Sequence, residues 1–530
     1  MSDYVIVGGG SAGCVLAARL SEDPAVKVTL LEAGPEDQSW MIHCPAGLAV
    51  MARTGHANWG YQTVPQPGLN GRRGYQPRGK VLGGSSSINA MIYTRGQPQD
   101  YDAWAAEGNE GWAWRDVLPY FRRAENNERG ADDFHGVGGP LNVRDLSDPN
   151  PFSQAFVEAG VQAGYERNDD FNGVRQEGVG LYQVTHKDGE RFSAAKAYLT
   201  PNRNRPNLQV ITGAHVTRVL LERGRAVGVS YVKSGSEQVV RASQEVLLSA
   251  GALQSPQLLM LSGIGPAEHL RKHGIGVQHD LPGVGANLHD HPDVVQIWDV
   301  PGAHDLFGLS AAGAWRVAKG LGRWRRERRG LLTSNFAEAG GFIRSADSEP
   351  VPDLQLHFVV GKLVNHGRTA AWGHGFSCHV CVLRPRSRGA LQLASSDPFA
   401  APQIDPGFLQ DSDDMRRMIA GFRKMRELLG QPALASHGGL EMSAAVRSDA
   451  EIEAFIRAHA DTIYHPVGSC RMGQATFDVV DAKLRVHGVE GLRVVDASIM
   501  PQVVSGNTNA PVIMIAEKAA DMIRQAVARF

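Results

Sequence analysis

A glycine-rich turn between two apolar runs near the start of the chain limits the possible folds more than any other feature. The apolar run 4–7 leads into the turn Gly8–Gly13, residues 14–20 have helical spacing, and 26–31 is apolar again. This order predicts a strand, a tight turn, a helix and a second strand, which is a βαβ unit.

The three glycines of the turn have the spacing of a phosphate-binding loop. Gly8, Gly10 and Gly13 form Gly-x-Gly-x-x-Gly, which lets a pyrophosphate approach the backbone and the N–H groups at the start of the helix. Glu32 lies 32 − 13 = 19 residues beyond Gly13, where a carboxylate can bind a ribose. This pattern predicts dinucleotide binding without separating FAD from NAD. The predicted contacts in this unit are Gly8, Gly10, Ser11, Ala12, Gly13, Glu32 and Ala33.

Length and charge narrow the function classes. A chain of 530 residues predicts two domains. Lys plus Arg is 54 and Asp plus Glu is 55, so no excess of positive charge points to nucleic acid, and small-molecule partners are expected.

Cysteine usage and apolar runs predict the location. The five cysteines are too few and too scattered for a disulfide framework, which favours a reducing cytoplasm. The first apolar run starts too early for a secretory leader, and no stretch is long enough to span a membrane.

A basic stretch at Arg323–Arg329 raises one hypothesis of peripheral membrane contact. It could bind anionic lipid at the inner face of the membrane, with Trp324 as an interfacial anchor. A solvated helix face is the alternative interpretation, and it is favoured.

Later segments predict a return to the first domain and a second unit. Alternating residues in 210–231 predict strands around Gly224, and 354–360 and 376–383 predict further strands. A helix is expected over 411–429 and another from Pro511, so both ends of the chain are predicted to build one domain.

Several longer segments resemble the glucose-methanol-choline oxidoreductases over nearly the whole chain. Residues 79–102, with Gly-Lys-Val-Leu-Gly-Gly-Ser-Ser-Ser-Ile-Asn, are similar to the family's first signature, and residues 251–265 to its second. Asn58–Gly60, Pro77–Gly79 and Asn287–His291 also match family segments.

The resemblance implies an α/β fold with a Rossmann-like FAD-binding domain and a substrate domain of antiparallel sheet and helices. The implied FAD-binding domain is 1–155, 208–296 and 462–530, and the substrate domain is 156–207 and 297–461. Besides the turn, the implied FAD contacts are Trp59, Arg78, Gly79, Val81, Gly83, Gly84, Ser85, Asn89, Ala90, Met91, Val216, Ala250, Gly251, Tyr464, Asp496, Ala497, Asn509 and Pro511.

The resemblance also implies how FAD is held. Members with covalent flavin carry a histidine immediately before the asparagine that aligns with Asn89, and Ile88 occupies that place here. The FAD is therefore expected to bind non-covalently.

Two C-terminal segments are similar to the family's catalytic motifs. Tyr464–Gly473 contains His465, and Gly506–Pro511 contains Asn509, which lies 509 − 465 = 44 positions later, as the family pattern requires. A neutral imidazole can take the hydroxyl proton of an alcohol, and an amide can donate to the developing alkoxide. His465 is thus predicted as the base and Asn509 as its partner.

The resemblance implies oxidation of a primary alcohol, with electrons passed to a quinone or other acceptor. Glu338 and His366 fall at positions that match substrate-site residues of choline-oxidising members, so choline is an alternative substrate. A cyanohydrin-cleaving lyase is an alternative from another class.

No metal site is predicted. The pair His289 and His291 has no third ligand nearby in the sequence, and Cys378 and Cys381 lie in an alternating, strand-like run. Structural roles are favoured for both pairs.

Overall fold

Two large β-sheets organise the computed structural model, which describes residues 1–527. The first sheet contains the predicted strand–turn–helix–strand unit, and the second is antiparallel. The predicted fold class, an α/β fold with an added antiparallel sheet and helices, is confirmed.

The first sheet, called here the nucleotide sheet, has a parallel centre. Ser2–Val7 pairs in parallel with Val28–Glu32 on one side and with the end of Ser236–Leu248 on the other. Val28–Glu32 is completely buried, as expected for a parallel strand covered on both faces. Leu208–Thr212 and Leu492–Val494 extend the parallel part, and His215–Glu222 and Arg225–Lys233 form an antiparallel extension.

The second sheet, called here the antiparallel sheet, is built mostly from the middle of the sequence. Its centre is Pro292–Asp299, Gly373–Val382 and Leu354–Val359. Nearly all residues of the last two strands are buried, and Pro292–Asp299 is half buried. The remaining strands are Gly178–Leu181, Gly308–Leu309, Ala337–Ile343, Leu440–Glu441 and Asp461–Thr462.

Helices pack on both sheets and occupy most of the positions predicted from periodicity. The predicted helix at 411–429 is Ser412–Leu429. The other α-helices are Ser11–Leu20, Trp40–His43, Leu48–Thr54, Pro98–Ala106, Trp114–Ala124, Pro151–Gln162, Gln254–Leu261, Ala267–Lys272, Ala311–Glu327, Pro432–Ala435, Asp449–His459 and Asn509–Val527.

The helix Asn509–Val527 joins the two ends of the sequence. It packs against Ser11–Leu20, and the buried carboxylate of Glu517 accepts hydrogen bonds from Arg19, Arg123 and Tyr198. The carboxylate has two cationic partners, so its burial does not leave an uncompensated charge.

Two main buried cores accompany the two sheets, and their membership differs from the predicted domain limits. Pro292–Asp299 begins before the predicted boundary at 296, because its backbone already pairs with Gly373–Val382 of the antiparallel sheet from Asp293 onward. Phe152 also packs in that second core, whereas Tyr198 packs in the first although 156–207 was assigned to the substrate domain. These differences from the predicted limits occur where the chain passes from one sheet to the other. The amino-acid composition does not change at these points.

Within residues 1–527, no helix combines the length and apolar character needed to cross a membrane.

Candidate active site

A large cavity, with a volume of about 1580 Å³, is lined by residues from both sheets. Its cofactor end is lined by the glycine turn, and its substrate end by side chains of the antiparallel sheet. Most of the predicted FAD contacts line it, namely Gly8, Gly10, Ser11, Ala12, Glu32, Ala33, Trp59, Arg78, Gly79, Gly84, Ser85, Asn89, Ala90, Met91, Val216, Ala250, Gly251, Tyr464, Asp496, Ala497 and Asn509. The exceptions are Gly13, Val81, Gly83 and Pro511.

The turn has the open backbone that a pyrophosphate requires. Gly8 has a φ of 100°, and a Cβ there would lie 2.5 Å from the carbonyl oxygen of Ser249. A Cβ on Gly10 would meet nothing closer than 3.9 Å, so the cavity side of the turn is free. Gly13 instead packs on the strand, since its Cβ would lie 1.9 Å from the oxygen of Gly8.

The first signature segment lies directly against this turn. The N–H of Gly83 donates to the carbonyl of Gly9 over 2.7 Å, and a Cβ on Gly84 would lie 2.7 Å from the Cα of Gly10. Gly83 thus supports the turn from behind, which explains why it does not line the cavity. Only glycine fits this approach of two backbones.

Glu32 is oriented by the turn itself. Its two carboxylate oxygens accept the N–H groups of Gly9, at 2.8 Å, and Gly34, at 2.7 Å. Burial raises the pKa of Glu32 to about 7, and the two backbone hydrogen bonds oppose that rise. Each oxygen keeps acceptor capacity for a ribose hydroxyl.

Asp496 organises the second signature in the same way. Its Oδ2 accepts the N–H of Gly251 at 2.9 Å and the hydroxyl of Ser255 at 2.5 Å. The start of the helix Gln254–Leu261 is thereby fixed against Ala497 at the cavity wall.

His465 lies between the two ends of the cavity and is almost completely buried. Its Nδ1 lies 3.1 Å from Nδ1 of His291, and its Nε2 lies 3.3 Å from the amide nitrogen of Asn507. Its backbone N–H donates to Asp290. Burial, followed by His291, His357 and Arg78, lowers the pKa of His465 well below its ordinary value, so the ring is neutral at pH 7.

The hydrogen bonds of His291 determine which nitrogen of His465 carries no proton. Nε2 of His291 lies 2.9 Å from the carbonyl of Leu383, so it carries the proton and donates. Burial lowers the pKa of His291 to about 4; in the neutral ring Nδ1 is therefore an acceptor. Nδ1 of His465 must then be the donor in their contact, which leaves the lone pair of His465 on Nε2, facing Asn507.

The structure places Asn507, and not Asn509, beside His465. The oxygen of the Asn507 side chain accepts from Thr94 and from Gln355, each at 3.2 Å, so its NH₂ group points to His465. Asn509 begins the C-terminal helix, and its Oδ1 accepts the hydroxyl of Ser11 at 2.8 Å. Two asparagines two positions apart cannot be separated by spacing alone, because the turn before the helix decides which one faces the imidazole. Asn509 lies among the predicted cofactor contacts.

The substrate end is mostly apolar. Phe307 and Phe336 pack there with ring centroids 4.4 Å apart, and His357 and His366 also line the wall. Burial lowers the pKa values of His357 to about 3 and of His366 to about 4, so both rings are neutral.

Glu338, predicted as a substrate contact, faces away from the cavity. Its neighbour Ala337 lines the cavity, and successive side chains of a strand point to opposite sides. The Glu338 carboxylate accepts hydrogen bonds from Ser334, Ser153 and the N–H of Asn150 at 2.6 to 2.8 Å. It is an internal acceptor for the loop around residue 150.

The pairs that imitate metal motifs have other contacts. His289 uses both ring nitrogens for the backbone of Asn287 and Val503. Cys378 and Cys381 are buried and unbridged, and their spacing of three on a strand directs them into different hydrophobic clusters. The contact between His291 and His465 was not predicted, although His291 lies in a segment that the sequence had already singled out.

Comparison with known proteins agrees with this arrangement. Residues 2–293 and 385–516 match the amino- and carboxyl-terminal parts of GMC oxidoreductase. The chain is 50% identical to alcohol dehydrogenase (acceptor) of Pseudomonas putida over 99% of its length and 96% of the relative. It is 47% identical to the mitochondrial choline dehydrogenase of Homo sapiens, covering 98% of this chain and 89% of the relative.

A solved structure gives the same result for the fold. The FAD-dependent oxidoreductase of Chaetomium thermophilum superposes with a TM-score of 0.91 at 29% identity, and each chain is covered completely. The chain belongs to the glucose-methanol-choline oxidoreductase family, and its cofactor is FAD.

The residues present fit that cofactor. The close approach of Gly84 to Gly10 leaves a backbone cradle without side chains, and Glu32 lies at the ribose position beside it. Ala250, Gly251 and His465 line the same cavity, so the imidazole shares one continuous space with the cradle.

Proposed function

We propose that this chain catalyses the oxidation of an uncharged primary alcohol to an aldehyde, with electrons passed on to a quinone or another acceptor. The proposal rests on the neutral imidazole of His465, whose unprotonated Nε2 faces the amide of Asn507. Both side chains line the cavity that also contains the dinucleotide turn. The relative from Pseudomonas putida, an alcohol dehydrogenase (acceptor), supports the same reaction.

His465 and Asn507 act on different atoms of the substrate hydroxyl group. Nε2 of His465 takes the hydroxyl proton, because it is the unprotonated nitrogen of a neutral ring. The Asn507 NH₂ group donates to the oxygen as negative charge develops. When bound, FAD would supply the acceptor for the hydride of the carbinol carbon.

His291 acts through His465. By accepting the proton of His465 Nδ1, it fixes the tautomer and the ring plane, and its own proton is held by the carbonyl of Leu383. The base is therefore orientated before substrate arrives.

The charges at the cavity wall favour an uncharged substrate over choline. Among the described residues that line the cavity, the carboxylates are Glu32 and Asp496, both at the cofactor end. Lys362 lines the substrate end, where it is paired with Asp299 at 2.6 Å. Among the described residues, no carboxylate lines the wall at that end to meet a quaternary ammonium, and the buried acid Glu338 does not reach it.

FAD is proposed to bind non-covalently. Ile88 lines the cavity directly before Asn89 and offers no nucleophile for attachment. Acid precipitation should release the yellow chromophore into the supernatant, and flavin retained in the pellet would contradict this.

Peripheral membrane contact is proposed at the helix Ala311–Glu327, with a different anchor from the one predicted. Trp324 is only 4% exposed and donates its indole N–H to Gly189, so it cannot insert into lipid. Trp315 is 71% exposed, and Lys319 and Arg326 follow on the same helical face. Gly313 and Val317 of the same helix line the cavity.

Liposome co-sedimentation tests the membrane contact. Anionic vesicles should retain the wild type and lose Trp315→Ser combined with Lys319→Gln and Arg326→Gln, whereas Trp324→Phe should bind as the wild type does. Equal retention of the triple variant would refute the contact.

Anaerobic mixing of the purified holoenzyme with 1-butanol, benzyl alcohol or choline tests the reaction. Bleaching of the oxidised-flavin absorbance by an uncharged alcohol is expected, with the rate falling about 10²- to 10⁴-fold in His465→Ala. Bleaching by choline alone would transfer the assignment to choline oxidation. No bleaching by any alcohol, with cleavage of a cyanohydrin, would replace it by the lyase reaction.

A further inference from the structure

Three potential metal ligands from distant parts of the sequence meet at the substrate end of the cavity. They are Asp293, His366 and His379, and one ligand atom of each lies within 4.8 Å of the other two. Both histidines line the cavity.

The antiparallel sheet brings two of these ligands together. Val295 pairs with His379 across neighbouring strands, and Asp293 lies two residues from Val295, so Asp293 and His379 share one face. His366 lies in the loop before the strand that carries His379, and its ring centroid is 5.6 Å from that of His379.

The carboxylate of Asp293 is the strongest reason to look for a ligand. Its side chain is completely buried, and Oδ2 is bonded to Nδ1 of His379 at 2.7 Å. Oδ1 has no hydrogen-bond partner among the described residues. Leaving a carboxylate oxygen buried without a partner is costly, so such an atom calls for a cation or donor that occupies the site.

We propose that Asp293, His366 and His379 form a binding site for a divalent transition metal, with Zn²⁺ as the preferred ion. Two imidazole nitrogens and one carboxylate suit Zn²⁺, whereas Mg²⁺ and Ca²⁺ prefer sites made of oxygen. Because both histidines line the cavity, water can complete the coordination of the ion.

The separation of the ligand atoms is compatible with an apo site. Ligands at about 2.0 Å from a tetrahedral ion are about 3.3 Å apart, so closure from separations within 4.8 Å requires a movement of at most about 1.5 Å. Asp293 and His379 are fixed on strands, while His366 lies in a loop and supplies that movement.

A bound ion would act on the alcohol reaction as an inhibitor. The ring of His366 packs 5.8 Å from that of Tyr464, the residue before His465, so the ion and its water would occupy space next to the base. Inhibition competitive with alcohol is expected, and this consequence rests on the proposed function; the metal binding does not.

Calorimetric titration of the holoenzyme with ZnCl₂, without alcohol, tests the site directly. One equivalent of Zn²⁺ should bind, and His366→Ala and Asp293→Asn should each weaken it at least tenfold. His366→Cys should restore binding, because a thiolate is also a Zn²⁺ ligand. This rescue distinguishes loss of a ligand from a folding defect, and the flavin content of each variant is measured in parallel.

A surface pair of histidines provides the control. His269 and His273, one helical turn apart with ring centroids separated by 4.7 Å, are the alternative place at which adventitious Zn²⁺ is tested. His273→Ala should leave the titration unchanged. Zn²⁺ binding that is lost in His273→Ala, or that is equal in wild type and His366→Ala, would overturn the proposal.

Flavin reduction by 1-butanol in the presence of ZnCl₂ then tests the inhibition. In the wild type, ZnCl₂ should raise the apparent KM for 1-butanol and leave kcat unchanged. In His366→Ala, the KM measured with ZnCl₂ should equal the KM measured without it. If Zn²⁺ binds as described and no alcohol reduces the flavin, the metal site stands and the proposed reaction fails.

Discussion

The cofactor end of the cavity is formed by backbone from short glycine-rich segments, whereas the substrate end is formed by side chains from strands far apart in the sequence. At the first end, Gly10 and Gly84 approach so closely that other residues are excluded. At the second, His357, His366 and Phe336 contribute one side chain each from separate segments. A substitution at the first end should therefore exclude the cofactor altogether. A substitution at the second end should remove one side-chain contact and lower the reaction rate in proportion.

The largest effect is expected from Gly84→Val. The new Cβ would lie 2.7 Å from the Cα of Gly10, so the cradle closes and FAD binding is abolished, as measured by the flavin absorbance of the purified protein. Gly274→Val is the matched control, since Gly274 also has a positive φ but has open space around it. Equal flavin loss in both variants would show that backbone strain, and not closure of the cradle, is responsible.

The two asparagines provide the next test. Asn507→Ala should slow flavin reduction by alcohol about 10²- to 10³-fold without loss of FAD, because it removes a donor to the developing alkoxide. Asn509→Ala should leave reduction nearly unchanged and weaken FAD binding by up to about tenfold, since it removes one hydrogen bond to Ser11. The opposite result would return Asn509 to the catalytic position.

His291→Ala should reduce kcat about three- to tenfold, the cost of one orientating hydrogen bond. The pH profile is the more specific readout. In the wild type the lowered pKa of His465 keeps the base neutral as the pH falls through 6.5, so kcat/KM declines only at more acid pH. His291 contributes to that lowering, so its removal should raise the pKa and move the decline to higher pH. An unchanged acid limb would mean that His291 does not act on the base.

The smallest effect on function is expected from Glu338→Gln. The ratio of choline to 1-butanol turnover should not change, because this side chain faces away from the cavity. Stability should fall by about 1–3 kcal/mol, since an amide NH₂ is placed against the donors that the carboxylate accepts. A selective loss of choline turnover would show that Glu338 reaches the substrate.

The contrast between the cofactor end and the substrate end of the cavity also explains which parts of the site can be predicted from the sequence. The glycine turn, both flavin signatures and His465 are local patterns, because a backbone cradle needs particular residues at fixed spacing along one segment. The fold class and the strand–turn–helix–strand unit follow from the same local patterns.

The rest depends on tertiary placement. Glu338 was assigned to the substrate, but one residue along a strand reverses the face. Asn507 and Asn509 differ by two positions at a helix start, and the meeting of Asp293 with His366 and His379 requires the register of two strands. No local pattern carries that information.

The hydrogen bond from Ser11 to Asn509 links positions 498 residues apart and has a consequence for synthesis. The glycine turn leaves the ribosome early, but the wall that completes its cavity is translated only after nearly the whole chain. A nascent chain that ends before Asn509 presents the turn without this wall and without Glu517, the buried partner of Arg19. Loading with FAD should therefore be a late, post-translational event.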